Sequence, residues 1–197
     1  MQVHRKFSRK LALSVKSGAV GVLPTDTIYG IVGSAFSFSA VSRIYKLRKR
    51  RPDKPFIVLI SSVRELKSFG VKTDRKTGSI LRKVWPGKVS VLLPVPGRKF
   101  SYIHRGTKRI AFRVPARKDI RDFLKISRPI VAPSANWEGK PPAENIRKAR
   151  RYFGDKVDFY LDKGILKFPP STLIALESRR LRIIRQGAGK IAKSLML

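Results

Sequence analysis

The chain switches repeatedly between apolar runs too short for a helix and stretches whose apolar residues recur at helical spacing. Phe56-Ile57-Val58-Leu59-Ile60 is a continuous apolar run of the kind that suits a strand buried on both faces. Val89 to Val95, Ile110 to Pro115, Pro129 to Ala132, Val157 to Leu161, Thr172 to Leu176 and Leu181 to Ile184 are further strand candidates. Ala19 to Leu23 is another apolar run, and it feeds a polar turn at Pro24. Between these runs, Phe7, Leu11 and Val15 suit an amphipathic helix ended by Gly18. Val41, Ile44, Tyr45 and Leu47 suit a second helix, with Ser39 as its cap. Ser61 or Ser62 caps a helix through Val63, Leu66 and Phe69 that stops at Gly70, and Thr73 to Val84 and Asp119 to Ile126 are helical. Pro141-Pro142-Ala143-Glu144 starts a last helix, with Ile146, Ala149 and Phe153 along one side. No internal repeat or low-complexity linker interrupts the alternation. A single α/β domain follows, with helices packed on a large mixed sheet.

The charge narrows the partners. With 45 Lys plus Arg against 12 Asp plus Glu, the net charge is +33, and a polyanion such as nucleic acid is the first partner to consider. A general bias of the proteome towards Lys and Arg is the plainer alternative, and charge alone does not separate the two. Seven cations, Arg43, Lys46, Arg48, Lys49, Arg50, Arg51 and Lys54, fall within twelve residues. From Pro96 to Thr107 the chain is rich in Gly, Arg and Lys and reads as an exposed loop. Its Phe100 and Tyr102 can stack bases, although packing on the core is the commoner role for such rings.

Absent residues exclude whole chemistries. Without cysteine there is no disulfide, thiolate nucleophile or Cys-based metal site, and two histidines, His4 and His104, cannot make a three-histidine metal centre. No apolar run reaches the roughly 20 residues that span a bilayer. The basic N-terminus before Leu11 faintly resembles a signal peptide, but Lys16 cuts its apolar core short. The expectation is a soluble, cytoplasmic protein.

The polar motifs share one address. Thr25 to Thr27, Arg113, Ser134 to Asn136, Ser171-Thr172 and Arg185 all fall at strand ends or in the turns beside them, and in an open α/β sheet such ends gather into one crevice. Hydroxyls and an amide there can orient a small polar ligand, while Arg48, Arg50, Lys54, Arg113 and Arg185 can neutralise a triphosphate or carboxylate. The familiar glycine-rich phosphate loops are missing, so side chains must supply much of any grip on a nucleotide. Asp26 and Asp53 are the only acids in the first sixty residues. Paired-carboxylate chemistry is therefore unpromising, and Asp26, between two threonines, reads as a turn cap.

Together these residues identify a resemblance. The order and spacing of Pro24-Thr25-Asp26-Thr27-Ile28-Tyr29-Gly30, the basic motif ending in Lys54-Pro55, Trp85-Pro86-Gly87, Arg113-Val114-Pro115, Ser134-Ala135-Asn136, Pro170-Ser171-Thr172 and Arg185-Gln186-Gly187 resemble the threonylcarbamoyl-AMP synthase family. The likeness is to its YrdC-type domain, in the short form without an extra C-terminal domain, and runs from about Ala19 to Ala188. It implies a twisted, mixed open sheet flanked by helices with a basic concave face. Residues 1–189 would form that domain, and 190–197 a short C-terminal tail.

The resemblance also implies a reaction. L-threonine, bicarbonate and ATP would give threonylcarbamoyl-adenylate and pyrophosphate, for modification of adenosine 37 in tRNA by a downstream threonylcarbamoyl transferase. Thr27, Arg113 and Ser171 map onto threonine-binding positions, and Arg50, Ser134 and Arg185 onto ATP-binding ones. Lys54 and Asn136 belong to the same motifs as ATP-binding residues, and Arg48 and Arg50 are the cations assigned to catalysis. Magnesium is the expected companion of ATP, with no dedicated carboxylate cage for it. Arg48 stands where the family usually has lysine, Arg109 where it often has threonine, and Leu59 where some relatives place histidine. The alternative is a non-catalytic RNA-binding or ribosome-associated protein on the same fold. Related carbamoyl-adenylate chemistry in hydrogenase maturation belongs to much longer chains.

Overall fold

The computed structural model describes residues 2–49, 51, 54–177, 180–192 and 195. Ten strands alternate with the helices: β1 (Gln2–His4), β2 (Gly21–Pro24), β3 (Tyr29–Ser34), β4 (Ile57–Leu59), β5 (Val89–Pro94), β6 (Arg109–Arg113), β7 (Ile130–Val131), β8 (Phe159–Leu161), β9 (Thr172–Glu177) and β10 (Arg180–Arg185). The helices are α1 (Arg9–Lys16), α2 (Phe38–Leu47), α3 (Arg75–Val84), α4 (Ser101–His104), α5 (Lys118–Ser127) and α6 (Ile146–Phe153), with a 3-10 helix over Val63–Phe69. The strands form one open sheet in the order β1-β8-β2-β3-β7-β4-β6-β5-β9-β10. Parallel pairs such as β4 with β6 and β5 with β9 sit beside antiparallel pairs such as β5 with β6, so the sheet is mixed.

Strand periodicity sorts the side chains between two faces. On one face Val22, Ile31, Val58, Val91, Phe112 and Ile174 pack with Val41 and Ile44 of α2, Leu81 of α3 and Ala149 and Phe153 of α6. On the other, Leu23, Val32, Leu59 and Ile130 pack with Leu11 and Val15 of α1 and Ile120 and Phe123 of α5. The apolar contacts of α1 and α5 reach across the sheet as far as β4 and β7. Among the described residues the same face of β6, β5, β9 and β10 carries no such cover, and there the sheet opens into a cavity.

Several local expectations shift. The cap of α2 is Ser37, whose Oγ accepts from Ala40 N at 3.2 Å, rather than Ser39. The last helix starts at Ile146 behind Asn145, whose side chain accepts from Lys148 N at 2.8 Å, so the diproline segment precedes the helix. Pro96–Thr107 is not simply an exposed loop, because it contains α4 and buries Phe100 and Ile103 in the core. The motif at residue 24 continues as β3, antiparallel to β2. Among the described residues no helix is long and apolar enough to cross a membrane. Positions 193, 194, 196 and 197 of the expected tail lie outside the described residues.

Candidate functional site

Alternation along three adjacent strands builds the floor of the cavity. Arg109, Ala111 and Arg113 of β6 point one way while Ile110 and Phe112 point into the core, and Ser90 and Leu92 of β5, Leu173 of β9 and Ser171 just before it follow the same parity. The enclosed space is about 590 Å³. Ile57, Leu92, Ala111 and Leu173 give it an apolar floor, Thr25, Thr27, Ser90, Thr107, Ser134 and Ser171 line it with hydroxyls, and Arg48, Arg109, Arg113 and Arg185 bring four guanidinium groups. No carboxylate belongs to that lining among the described residues.

Arg113 is held from behind. Its Nη2 lies 3.1 Å from Asp26 Oδ1, with side chains 4% and 1% exposed, and Asp26 Oδ2 accepts from Ala116 N at 2.9 Å. Arg113 Nη1 donates to Thr27 Oγ1 at 3.5 Å, and its Nε is buried with no hydrogen-bond acceptor among the described residues. Burial pushes the Arg113 guanidinium down from its ordinary pKa, Asp26 works against that shift, and Arg185 adds to it. Arg113 stays a cation in so strongly basic a group, and an incoming carboxylate would relieve the strain of its burial.

The Thr25–Ile28 turn explains the threonines around Asp26. Thr25 Oγ1 donates to Ile28 O at 2.7 Å and accepts from Ile28 N at 3.2 Å, leaving Thr27 Oγ1 3.1 Å away. Across the floor, the hydroxyls of Ser171 and Ser90 lie 2.8 Å apart. Ser171 O accepts from Arg185 Nη2 at 2.9 Å. Arg185 is solvent-exposed overall, yet its head group loses enough water for its pKa to fall below the ordinary arginine value. Gly187 makes this arrangement possible, because a Cβ there would lie 2.1 Å from Pro170 O. Thr172 Oγ1 closes the same turn by accepting from Gly187 N and Gly189 N at 3.0 and 3.1 Å.

The basic motif divides. Arg48 is buried at the end of α2, where its Nε donates to Asn136 O at 3.2 Å and its Nη2 to Ser134 Oγ and Asn136 Oδ1 at 3.1 and 3.3 Å. Its position is a brace behind the Ser134 turn as well as a cavity wall. Asn136 Nδ2 donates to Trp137 O and Lys140 O at 2.6 and 2.7 Å, so its amide serves the turn. Lys54 pairs with Glu138 at 2.6 Å, and the other oxygen of Glu138 accepts from Arg51 N at 2.6 Å. Thr27, Arg48, Arg113, Ser134, Ser171 and Arg185 are thus brought to one cavity, while Lys54 and Asn136 fall outside its lining. Arg50 and Asp53 lie outside the described residues.

Sequence reasoning missed three organisers. Asp26 reads as a turn cap in sequence, whereas its carboxylate spans 90 residues to Ala116 N and pairs with Arg113. Ser90 sits in a strand with no motif around it, and Glu138 gave no signal beyond being a rare acid. Among the described residues no group of three or more His, Cys, Asp or Glu could hold a metal ion. The lining, rich in guanidinium groups, therefore does not fit a resident magnesium ion.

Comparisons with known proteins bear on this geometry. The family model Sua5_yciO_yrdC, described as Telomere recombination, matches residues 14–187. The chain is 30% identical to a putative threonylcarbamoyl-AMP synthase of Mycobacterium tuberculosis over 88% of its length and 81% of that protein. It is 29% identical to the threonylcarbamoyl-AMP synthase of Pyrococcus abyssi over 88% of its length, but spans 52% of that relative. The crystal structure of P. abyssi Sua5 complexed with L-threonine superposes with a TM-score of 0.84 at 27% identity, covering 95% of this chain and 58% of that one.

Proposed function

The chain belongs to the Sua5/YciO/YrdC family, and on that premise we propose that it is an L-threonylcarbamoyladenylate synthase. The observation that carries the reading is the cavity itself, with four arginines and six hydroxyls over an apolar floor and no carboxylate in the lining. Such a site suits a substrate that is anionic at both ends, as threonine carbamate and ATP together are. The similar P. abyssi Sua5 structure is a complex with L-threonine.

The reaction asks the protein for alignment and charge more than for proton transfer. Bicarbonate gives carbon dioxide by losing hydroxide, the threonine amine bonds to that carbon to give a carbamate, and the amine proton and the hydroxide leave together as water. A carbamate oxygen then attacks the α-phosphorus of ATP as the bond to pyrophosphate breaks. Arg113, held by Asp26, takes the threonine carboxylate, and Thr27 and Ser171 place the amino acid beside it. Ser134 and Arg185 face the nucleotide, Arg48 keeps Ser134 in place, and Arg50 meets the departing charge. Lys54 and Asn136 act through the loops they fasten. Preorganised cations at developing charge are worth ~3 to 4 kcal/mol each, and holding two reactants in line supplies much of the remainder. Magnesium travels with ATP rather than residing in the protein.

The adenylate is passed to a downstream transferase that modifies adenosine 37 of tRNA, and the basic exterior contacts RNA. Pyrophosphate release from ATP by the purified protein tests the synthase reading. Release that requires both L-threonine and bicarbonate is expected; its absence with both present overturns it.

A further inference from the structure

The sheet face opposite the cavity carries a second, smaller hollow. Where α4 packs against the start of α2, a notch of about 370 Å³ is lined by Phe38, Ser101, Tyr102, Arg105 and Gly106. Phe38 is 65% exposed, more than any other large apolar side chain described. Its ring meets the edge of Tyr102 at 5.7 Å, and the Tyr102 hydroxyl is already committed to Ala35 O at 2.9 Å. Tyr102 is therefore a fixed wall. Arg105 lies with its guanidinium 4.1 Å from the centre of the Tyr45 ring, and its Nε is buried with no hydrogen-bond acceptor among the described residues. Phe36 stacks on Phe69 at 5.3 Å nearby, so aromatic contact runs from this surface into the core.

A lone exposed ring is ordinary, but a ring presented edge-on to a second aromatic beside a cation held in place by stacking is a stacking platform. We propose that this notch takes an unpaired base of single-stranded RNA, stacked on Phe38 against Tyr102 with Arg105 facing the adjoining phosphate. The proposal rests on the reading that the basic exterior contacts RNA, and deepens it by naming where and in which form.

Charge and geometry select that occupant. The net charge of +33 suits a polyanion. One stack and one cation hold a free nucleotide weakly, whereas a strand adds phosphate contacts along the rest of the basic surface. A duplex keeps its bases stacked on one another and offers none to Phe38. An acidic protein segment would meet the charge but leave the flat ring without a role. Beyond Gly106 the chain goes on to Thr107 and Arg109 in the lining of the cavity, whereas none of the notch residues belongs to that lining.

Fluorescence anisotropy with a labelled single-stranded RNA dodecamer, and with the duplex of the same sequence, tests this on the full chain. The expected result is that F38A weakens single-strand binding by roughly tenfold or more while duplex binding and the salt slope of both stay as in wild type. F38W restores the single-strand affinity, and F38L does not. Wild-type affinity in F38A or F38L overturns the proposal, as does an equal loss for strand and duplex. If the wild-type chain binds neither RNA, the RNA-contact reading falls and this proposal with it. Pyrophosphate release, unchanged in F38A, reports on the synthase reading separately.

Discussion

Asp26 and Arg113 form an ion pair of 3.1 Å behind the cavity wall, joining the turn after β2 to the end of β6 across 87 positions of chain. Almost no water reaches either side chain. The pair aims the guanidinium, because the second Asp26 oxygen is fixed by Ala116 N.

Replacing Asp26 by asparagine leaves Arg113 buried without a counter-charge. D26N is expected to lose ~3 kcal/mol or more of stability, the usual consequence of removing one partner from a buried pair. Urea denaturation measures this. The double variant D26N/R113M should recover part of the loss, and a double variant no more stable than D26N would show that the pair is not the cause.

Arg48 and Arg50 are neighbours in sequence with different expected roles. R48A removes charged hydrogen bonds to Ser134 and Asn136, so it should lower stability by about 2 to 3 kcal/mol and raise the KM for ATP. R50A, from the family resemblance, should leave the fold intact and cut adenylate formation roughly a hundred- to thousand-fold. Thermal melts beside pyrophosphate release separate the two.

Gly187 approaches Pro170 and Ser171 too closely for any side chain. G187A should push the segment after β10 away from Ser171, costing about 1 to 3 kcal/mol and weakening threonine saturation. An unchanged melting point and KM would mean that the backbone yields there without consequence.

Asp158 ties β8 to the helix α2. Its Oδ2 accepts from Val20 N and from Arg43 Nη1 at 2.8 and 2.7 Å, and its Oδ1 accepts from Arg43 Nη2 at 2.9 Å. Burial raises the carboxyl pKa, but these bonds outweigh it and hold the value below the ordinary aspartate one. A depressed folded pKa stabilises above the unfolded value of about 3.9, and that stabilisation fades as pH falls through the folded value. D158N should therefore be less stable than wild type at neutral pH, and the gap should close on acidification below about pH 4. A gap constant down to the acid limit would contradict this.

Much of the architecture is legible in local pattern. The strands at Phe56–Ile60 and Ile110–Pro115 and the helices around Ile44 and Phe153 announce themselves because periodic apolar residues have to be buried on one face. The boundaries are less legible, since Ser37 and Ser39 are equally good caps and the fold uses the former. Tyr29–Ser34 was hidden as a strand because its two glycines and serine carry little strand signal, while pairing with β2 and β7 decides its conformation.

By itself, the sequence determined the α/β class, the basic character, the absence of cysteine chemistry and the set of hydroxyl and guanidinium residues at strand ends. These follow from composition and spacing, which act over a few residues. Only the tertiary structure decided which of those groups share a cavity. It gave Arg48 and Asn136 to bracing the Ser134 turn, paired Lys54 with Glu138, and set Asp26 against Arg113. Among the described residues it also left one face of β5, β6, β9 and β10 without a covering helix. The reason is that a buried polar group must find its partner in space, and the partners of Asp26 are set by sheet order and the parity of β6, not by the neighbours of Asp26 in the chain.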